Sequence, residues 1–215
     1  MNIYNKELLK DYQAFPGPKS NYYTATSFVM QMLLENGFDE TKTLLDIGCG
    51  SLRMGRLFIL FLLPSKYYGI EPEFEMVEEG LKEEVVKPFS NKLLWYKKPV
   101  FVYNERFDMR EFDVKFDFVL AAQVFIHCGK SQLIQCLTNV KSKLKPESKL
   151  FFSINIKNHT GEMNKGIDKQ WSYRYASHCG ACYREEDFIK IIEDIGYTAT
   201  HINQFYFLLK PNFSF

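Results

Sequence analysis

The sequence predicts an α/β chain: a doubly wound, mostly parallel sheet that ends in a C-terminal antiparallel hairpin. Three observations predict it. Short apolar runs rich in β-branched and aromatic residues alternate with helical patterns, and such alternation implies βαβ units. One of these runs, residues 43–47, enters the glycine pair Gly48-Cys49-Gly50 with a helical pattern directly after it. The last two runs, 197–202 and 204–209, are clearly separated by Asn203 alone, which suits a tight turn at a sheet edge and not a crossover.

In chain order, the runs at 43–47, 67–70, 100–103, 116–121 and 149–154 read as strands, and helical spacing recurs at 26–36, 54–63, 73–84, 130–144 and 184–195. The apolar run from Leu57 to Leu63 stops at Pro64. It is far short of the roughly 20 residues that cross a bilayer, so it reads as a buried helix, and no membrane span is expected. Gly196 follows the last helix, where a left-handed residue closes a helix most cheaply. Residues 1–25 and 157–183 fit no element well. The sequence predicts an N-terminal helical cap over 1–40 and a substrate-covering loop over 155–183, because long loops in compact domains tend to carry function.

The chain has 215 residues, 46% of them hydrophobic and 25% charged, which fits one globular domain over 1–215. Its formal charge of +1 supplies no global field for polynucleotides, so no nucleic-acid partner is expected. The first residues contain no apolar secretory segment, and five irregularly spaced cysteines suit reduced thiols; the expected location is cytoplasmic. Nothing in the sequence sets the oligomeric state.

Candidate chemistry begins at Asp46-Ile47-Gly48-Cys49-Gly50-Ser51-Leu52-Arg53. Glycines between a strand and a helix let backbone N–H groups approach a ligand closely. A dinucleotide fold wants a third glycine where Arg53 stands. Asp46, two residues before Gly48, would repel a pyrophosphate and suits a ligand bearing an ammonium group. The second strand ends in Glu71-Pro72, placing a carboxylate where both hydroxyls of a ribose could donate to it.

Together these residues resemble the class I S-adenosylmethionine (SAM)-dependent methyltransferases, from about residue 40 onward. The resemblance implies a Rossmann-like methyltransferase fold, SAM as cofactor and S-adenosylhomocysteine (SAH) as product. It implies cofactor contacts by Asp46, Gly48, Cys49, Gly50, Arg53, Glu71 and Pro72, with Phe107, Asp108 and Met109 at the adenine. The segment Gln123-Val124-Phe125-Ile126-His127 resembles the one lining the methyl-transfer pocket in a subgroup acting on small molecules and on sugars of bacterial surface polysaccharides, though Val124 replaces a serine of that pattern. It implies Gln123 at the cofactor and His127 as catalytic base or substrate contact, and a histidine can remove a hydroxyl proton. A histidine packed under the following helix is the competing reading.

Tyr22 and Tyr23 are candidate substrate-binding residues as part of an aromatic lid, or else pack a helix onto the sheet. Trp171, Tyr173 and Arg174 interleave rings with a cation, which suits a polar acceptor. The expected partner is a small-molecule acceptor, with O-methylation of a sugar-like compound leading. N-methylation of a small phosphorylated amine and a non-catalytic SAM-binding partner protein are the alternatives. Cys179 and Cys182 form a lone CxxC, too little for a closed metal site, and no metal is expected.

Overall fold

A computed structural model describes residues 22–156, 182–203 and 206–213. The chain falls into two compact units, 1–104 and 105–215. The first contains α1 (Tyr22–Glu35), β1 (Leu44–Ile47), α2 (Gly55–Phe61), β2 (Tyr67–Ile70) and α3 (Phe74–Gly80). A π-helical turn over Leu81–Val86 leads on to α4 (Lys87–Phe89), α5 (Asn91–Lys97) and β3 (Val100–Val102). β2 pairs in parallel with β1 on one side and β3 on the other. Every residue of β1 and β2 is buried, and strands covered on both faces read as continuous apolar runs.

α1 buries Tyr22, Thr26, Val29 and Leu33, residues spaced for one helical face, and a polar cluster holds it. The Tyr22 hydroxyl donates to Glu84 Oε1 at 3.0 Å, and Arg56 Nε lies 3.5 Å from Glu84 Oε2. The Arg56 guanidinium covers the Tyr22 ring at 4.6 Å. Thr26 Oγ1 donates to the Tyr22 and Arg53 carbonyls. Two departures from the sequence expectation fall after β2. The helix expected to end at 84 runs as α3 to Gly80 and then through the π turn, and α5, which buries no residue, offered no apolar period to recognise.

The second unit contains β4 (Phe116–Ala121), α6 (Lys130–Lys141), β5 (Leu144–Ser153), β6 (Asn155–Ile156), β7 (Cys182–Tyr183), α7 (Glu185–Asp194), β8 (Tyr197–His201) and β9 (Tyr206–Pro211). β4 and β5 pair in parallel; β5 with β9 and β9 with β8 pair antiparallel. Leu144, expected to end the helix, instead opens β5 opposite Phe116. Ser148 makes that early start possible, because its hydroxyl donates to the Phe116 carbonyl and accepts from Lys145 N–H, each at 2.7 Å. The hairpin at 197–211 forms as expected, with His201 opposite Phe207, so its turn is longer than Asn203 alone. α7 buries Phe188, Ile191 and Ile192 and ends before Gly196, whose φ is +80°.

Parallel strand pairs joined through helices, followed by an antiparallel C-terminal pair, make the fold class that the sequence predicts. β6 and β7 pair with each other, bringing together the two ends of the expected substrate-covering loop, which itself lies outside the described residues, as does 1–21 of the expected cap. No described helix is long and apolar enough to cross a membrane.

Gly80 sets how closely α3 approaches the glycine loop: a Cβ there would fall on the backbone of Ser51. Gly80→Ala therefore sets a helix-propensity gain of about 1 kcal/mol against overpacking of about 1–3 kcal/mol. A net loss is expected in urea unfolding; unchanged or higher stability would show that the loop yields.

Candidate functional site

The glycine loop hangs from β2. Gly48 and Cys49 N–H both donate to the Ile70 carbonyl, at 2.8 and 3.3 Å. Gly48 and Gly50 sit at φ +66° and +52°, a region that glycine enters without strain. Gly50 N–H donates to Glu71 Oε2 at 3.0 Å and Glu73 N–H to Glu71 Oε1 at 3.2 Å, so one carboxylate ties the loop to the end of β2. Glu71 is 2% exposed. Burial pushes its pKa up to about 7 against the pull of those two N–H groups.

Asp46 is equally dry, and Tyr67 Oη donates to its Oδ2 at 2.7 Å. Burial again dominates and lifts Asp46 to about 7. The Cys49 thiol is pushed up by burial, then by the Asp46 and Glu71 charges. Asp46, Gly48, Cys49, Gly50 and Glu71 thus share one corner, where two desolvated carboxylates face chemistry that favours donors and cations. Pro72 is exposed beside Glu71.

Sequence reasoning missed an aromatic pair here. Phe74 and Tyr103 meet edge to face at 5.0 Å, and both stay exposed, at 49% and 38%. The Tyr103 hydroxyl is pushed up to about 12 by partial burial and then by Glu78 and Cys49, which puts it beside the glycine loop. The available signal was position: an aromatic three residues after the strand-terminal acid, and another directly after the third strand.

Arg53 and Tyr22 both have partners within the protein. Arg53, 8% exposed, turns its Nε toward the Tyr22 carbonyl at 3.5 Å and its guanidinium toward the Tyr22 ring. Tyr22 is fully buried with its hydroxyl on Glu84, the arrangement that the packing alternative describes. Tyr23 remains exposed, its ring 4.8 Å from the Arg56 guanidinium.

In the second unit Phe107 (φ +53°) and Met109 are buried, and the Phe107 ring lies 5.8 Å from that of Phe125. Asp108, between them, is turned to the surface. Arg110 holds it through Nη2 at 2.6 Å, Nε at 2.9 Å and its backbone N–H at 3.0 Å, which drops its carboxyl to about 2. Asp108 lines a cleft of about 390 Å³ with Arg106, Asn139 and Lys143.

Gln123 leaves β4 at φ +63°, its N–H donating to Ser153 Oγ at 2.5 Å and its side chain exposed. Ser153, on β5, was not singled out in the sequence. His127 is half-buried; its Nδ1 is buried without a hydrogen-bond partner, and burial pushes its pKa below the ordinary value. Trp171, Tyr173, Arg174 and the CxxC side chains lie outside the described residues. Among the described residues no group of three His, Cys, Asp or Glu is placed to hold a metal.

The two raised carboxyls fix a pH dependence. Folded Asp46 and Glu71 hold protons that the unfolded chain releases near pH ~4, so burial costs stability increasingly from there up to about pH 7 and evenly above it. Asp46→Asn keeps an acceptor for Tyr67 and removes one such charge. The variant should gain melting temperature relative to the parent at pH 8 but not at pH 4; parallel profiles would show that Asp46 does not titrate this way.

A methyltransferase-domain family model matches residues 19–202. No curated protein sequence matches the chain. Among solved structures, a SAM-dependent methyltransferase from Clostridium acetobutylicum superposes with TM-score 0.65 at 13% identity, covering 99% of this chain and 100% of that one. The CcbJ methyltransferase from Streptomyces caelestis gives 0.66 at 12% identity, covering 96% of each chain. Magnesium protoporphyrin IX methyltransferase from Synechocystis with bound SAM gives 0.62 at 16%, covering 96% of this chain and 91% of that one. Likeness at this identity speaks for the fold, and the match over 19–202 speaks for the family. With parallel strands, a glycine loop and a strand-terminal acid in place, this chain belongs to the methyltransferase-domain family.

Proposed function

We propose that this methyltransferase uses SAM to methylate a hydroxyl of a small molecule, a sugar or sugar-like precursor of surface polysaccharide, with His127 as the base. His127 carries the reading. Its burial keeps the imidazole neutral near pH 7, the form that accepts a proton. A hydroxyl acceptor needs its proton removed, and a neutral imidazole is a group that can take it. The sugar assignment rests on the resemblance of Gln123–His127 to polysaccharide-pathway enzymes.

When bound, SAM supplies a methyl group on a sulfonium leaving group. The chain's part is alignment and proton handling. Glu71 accepts from the ribose hydroxyls with the lone pairs that Gly50 and Glu73 leave free, and Asp46 provides negative charge for the ammonium group. Gly48 and Gly50 bring the backbone close; a Cβ at Gly50 would sit 3.3 Å from Met76 Cε. Phe74 and Tyr103 flank the nucleoside beside Glu71. Phe107, Met109 and Gln123 remain cofactor contacts, as the resemblance implies. Tyr23 and the segment bearing Trp171, Tyr173 and Arg174 contact the acceptor.

Glu71→Ala should weaken SAM binding by about 1.5–3 kcal/mol for each charge-assisted bond lost, read by titration calorimetry; unchanged affinity would overturn the ribose assignment. His127→Ala should keep SAM affinity and melting temperature while turnover falls about 10²–10⁴-fold. Full turnover in that variant would remove the base. Mass analysis after incubation with panels of nucleotide sugars and phospho-amines tests the acceptor: methylation of the amine panel alone overturns the oxygen reading.

A further inference from the structure

The excursion between the π turn and β3 serves neither the glycine loop nor the core. From Val85 to Asn104 the sequence contains four lysines, Lys87, Lys92, Lys97 and Lys98, with no acid and no arginine. α4 and α5 bury no residue. Trp95 is 78% exposed, Tyr96 57% and Phe89 51%. Lys97 Nζ donates to the Leu60 and Leu62 carbonyls at 2.6 Å each, and Ser65 N–H donates to the Lys97 carbonyl, which pins the end of α5 beside exposed Leu63. The rings are therefore presented by an anchored element. Lys98 Nζ sits 5.9 Å from the Trp95 ring, placing cation and indole side by side.

We propose that this face docks the enzyme on an anionic lipid surface. Bare indole, phenol and phenyl rings interleaved with lysines match the layered chemistry of a membrane interface, where aromatics settle at headgroup depth and ammonium groups meet phosphates. A protein interface of this size would instead deplete lysine from its centre. Polynucleotide readers favour the arginine fork, which the segment lacks. Lys87 is paired with Glu83 at 2.8 Å and Lys97 with two backbone carbonyls, so the charge that the face offers to acidic headgroups is that of Lys92 and Lys98, which flank Trp95 and Tyr96 with no acid between them in sequence.

The test uses the full chain in vesicle sedimentation, with phosphatidylcholine alone and with phosphatidylcholine containing phosphatidylglycerol. The protein should pellet with the acidic vesicles at low salt, stay in solution with the neutral ones, and be released by added salt. Lys92→Gln with Lys98→Gln should weaken pelleting roughly fivefold per lysine, and Trp95→Ala with Tyr96→Ala should weaken it without altering SAM affinity or melting temperature. The proposal fails if the parent does not pellet with acidic vesicles, or if the variants pellet equally. It also fails if the face binds an oligonucleotide or forms a dimer while ignoring vesicles.

Discussion

The hydrogen bonds from Gly50 and Glu73 to the Glu71 carboxylate are the constraint on which the rest of the first unit depends. A strand end and a glycine turn are ordinarily held by backbone pairing, and here an acid side chain completes the closure. The two N–H groups stabilise the ionised form, but burial outweighs them and leaves the group near neutrality in its proton affinity. Such a carboxylate has acceptor capacity left over and gains by meeting further donors. The same bond that shapes the loop therefore prepares it for a ligand rich in hydroxyl groups.

Close packing fixes that loop from below. Gly80 admits the Ser51 backbone, Gly55 admits the Tyr67 hydroxyl, and Gly69 admits Cys49 and Phe101. Each is a place where a side chain would push an element outward. The Gly55 contact reaches further, because the hydroxyl it admits is the donor to Asp46. The buried Arg56–Glu84 pair joins α2 to the π turn, and the Tyr22 hydroxyl on Glu84 adds α1. A buried pair adds little net stability over apolar packing but penalises any arrangement that separates the charges, so it specifies where the π turn lies relative to α2.

Sequence reading recovered what periodicity and local chemistry encode. β1, β2, β4, the closing hairpin and the glycine loop all carry signals within a few residues, and Glu71 was identifiable as an acid closing a strand. It is silent where the outcome turns on distant partners. Nothing near Arg53 signals that its Nε lies toward the Tyr22 carbonyl, thirty-one residues away. For Tyr22 the sequence leaves lid and packing both open, and only Glu84 and Arg56 show it packed. Asp108 matched a pattern, but Arg110, two residues on, turns it to the surface. That case was local, yet no spacing rule distinguishes an Asp-x-Arg turn from an acid left open. Phe74 and Tyr103 went unnoticed because apolar residues near strands read as core, and only solvent exposure sets them apart.

Charge illustrates the same limit from the other direction. A formal charge of +1 is the sum of 27 basic and 26 acidic residues, and it excludes a global field. It does not exclude segregation. Screening confines electrostatic attraction to about 10 Å at moderate salt, so a surface responds to the lysines of its nearest segment and not to the sum over the chain. The acid-free run from Val85 to Asn104 is long enough to act on that scale, and its middle part, α4 and α5, stays at the surface with no buried residue. The glycine loop, in contrast, brings two buried, hydrogen-bonded acids together inside the same unit, Asp46 and Glu71. A nearly neutral chain can therefore hold buried acids in one place and a lysine-bearing surface in another. The two stay independent because one is insulated by burial and the other is screened by water.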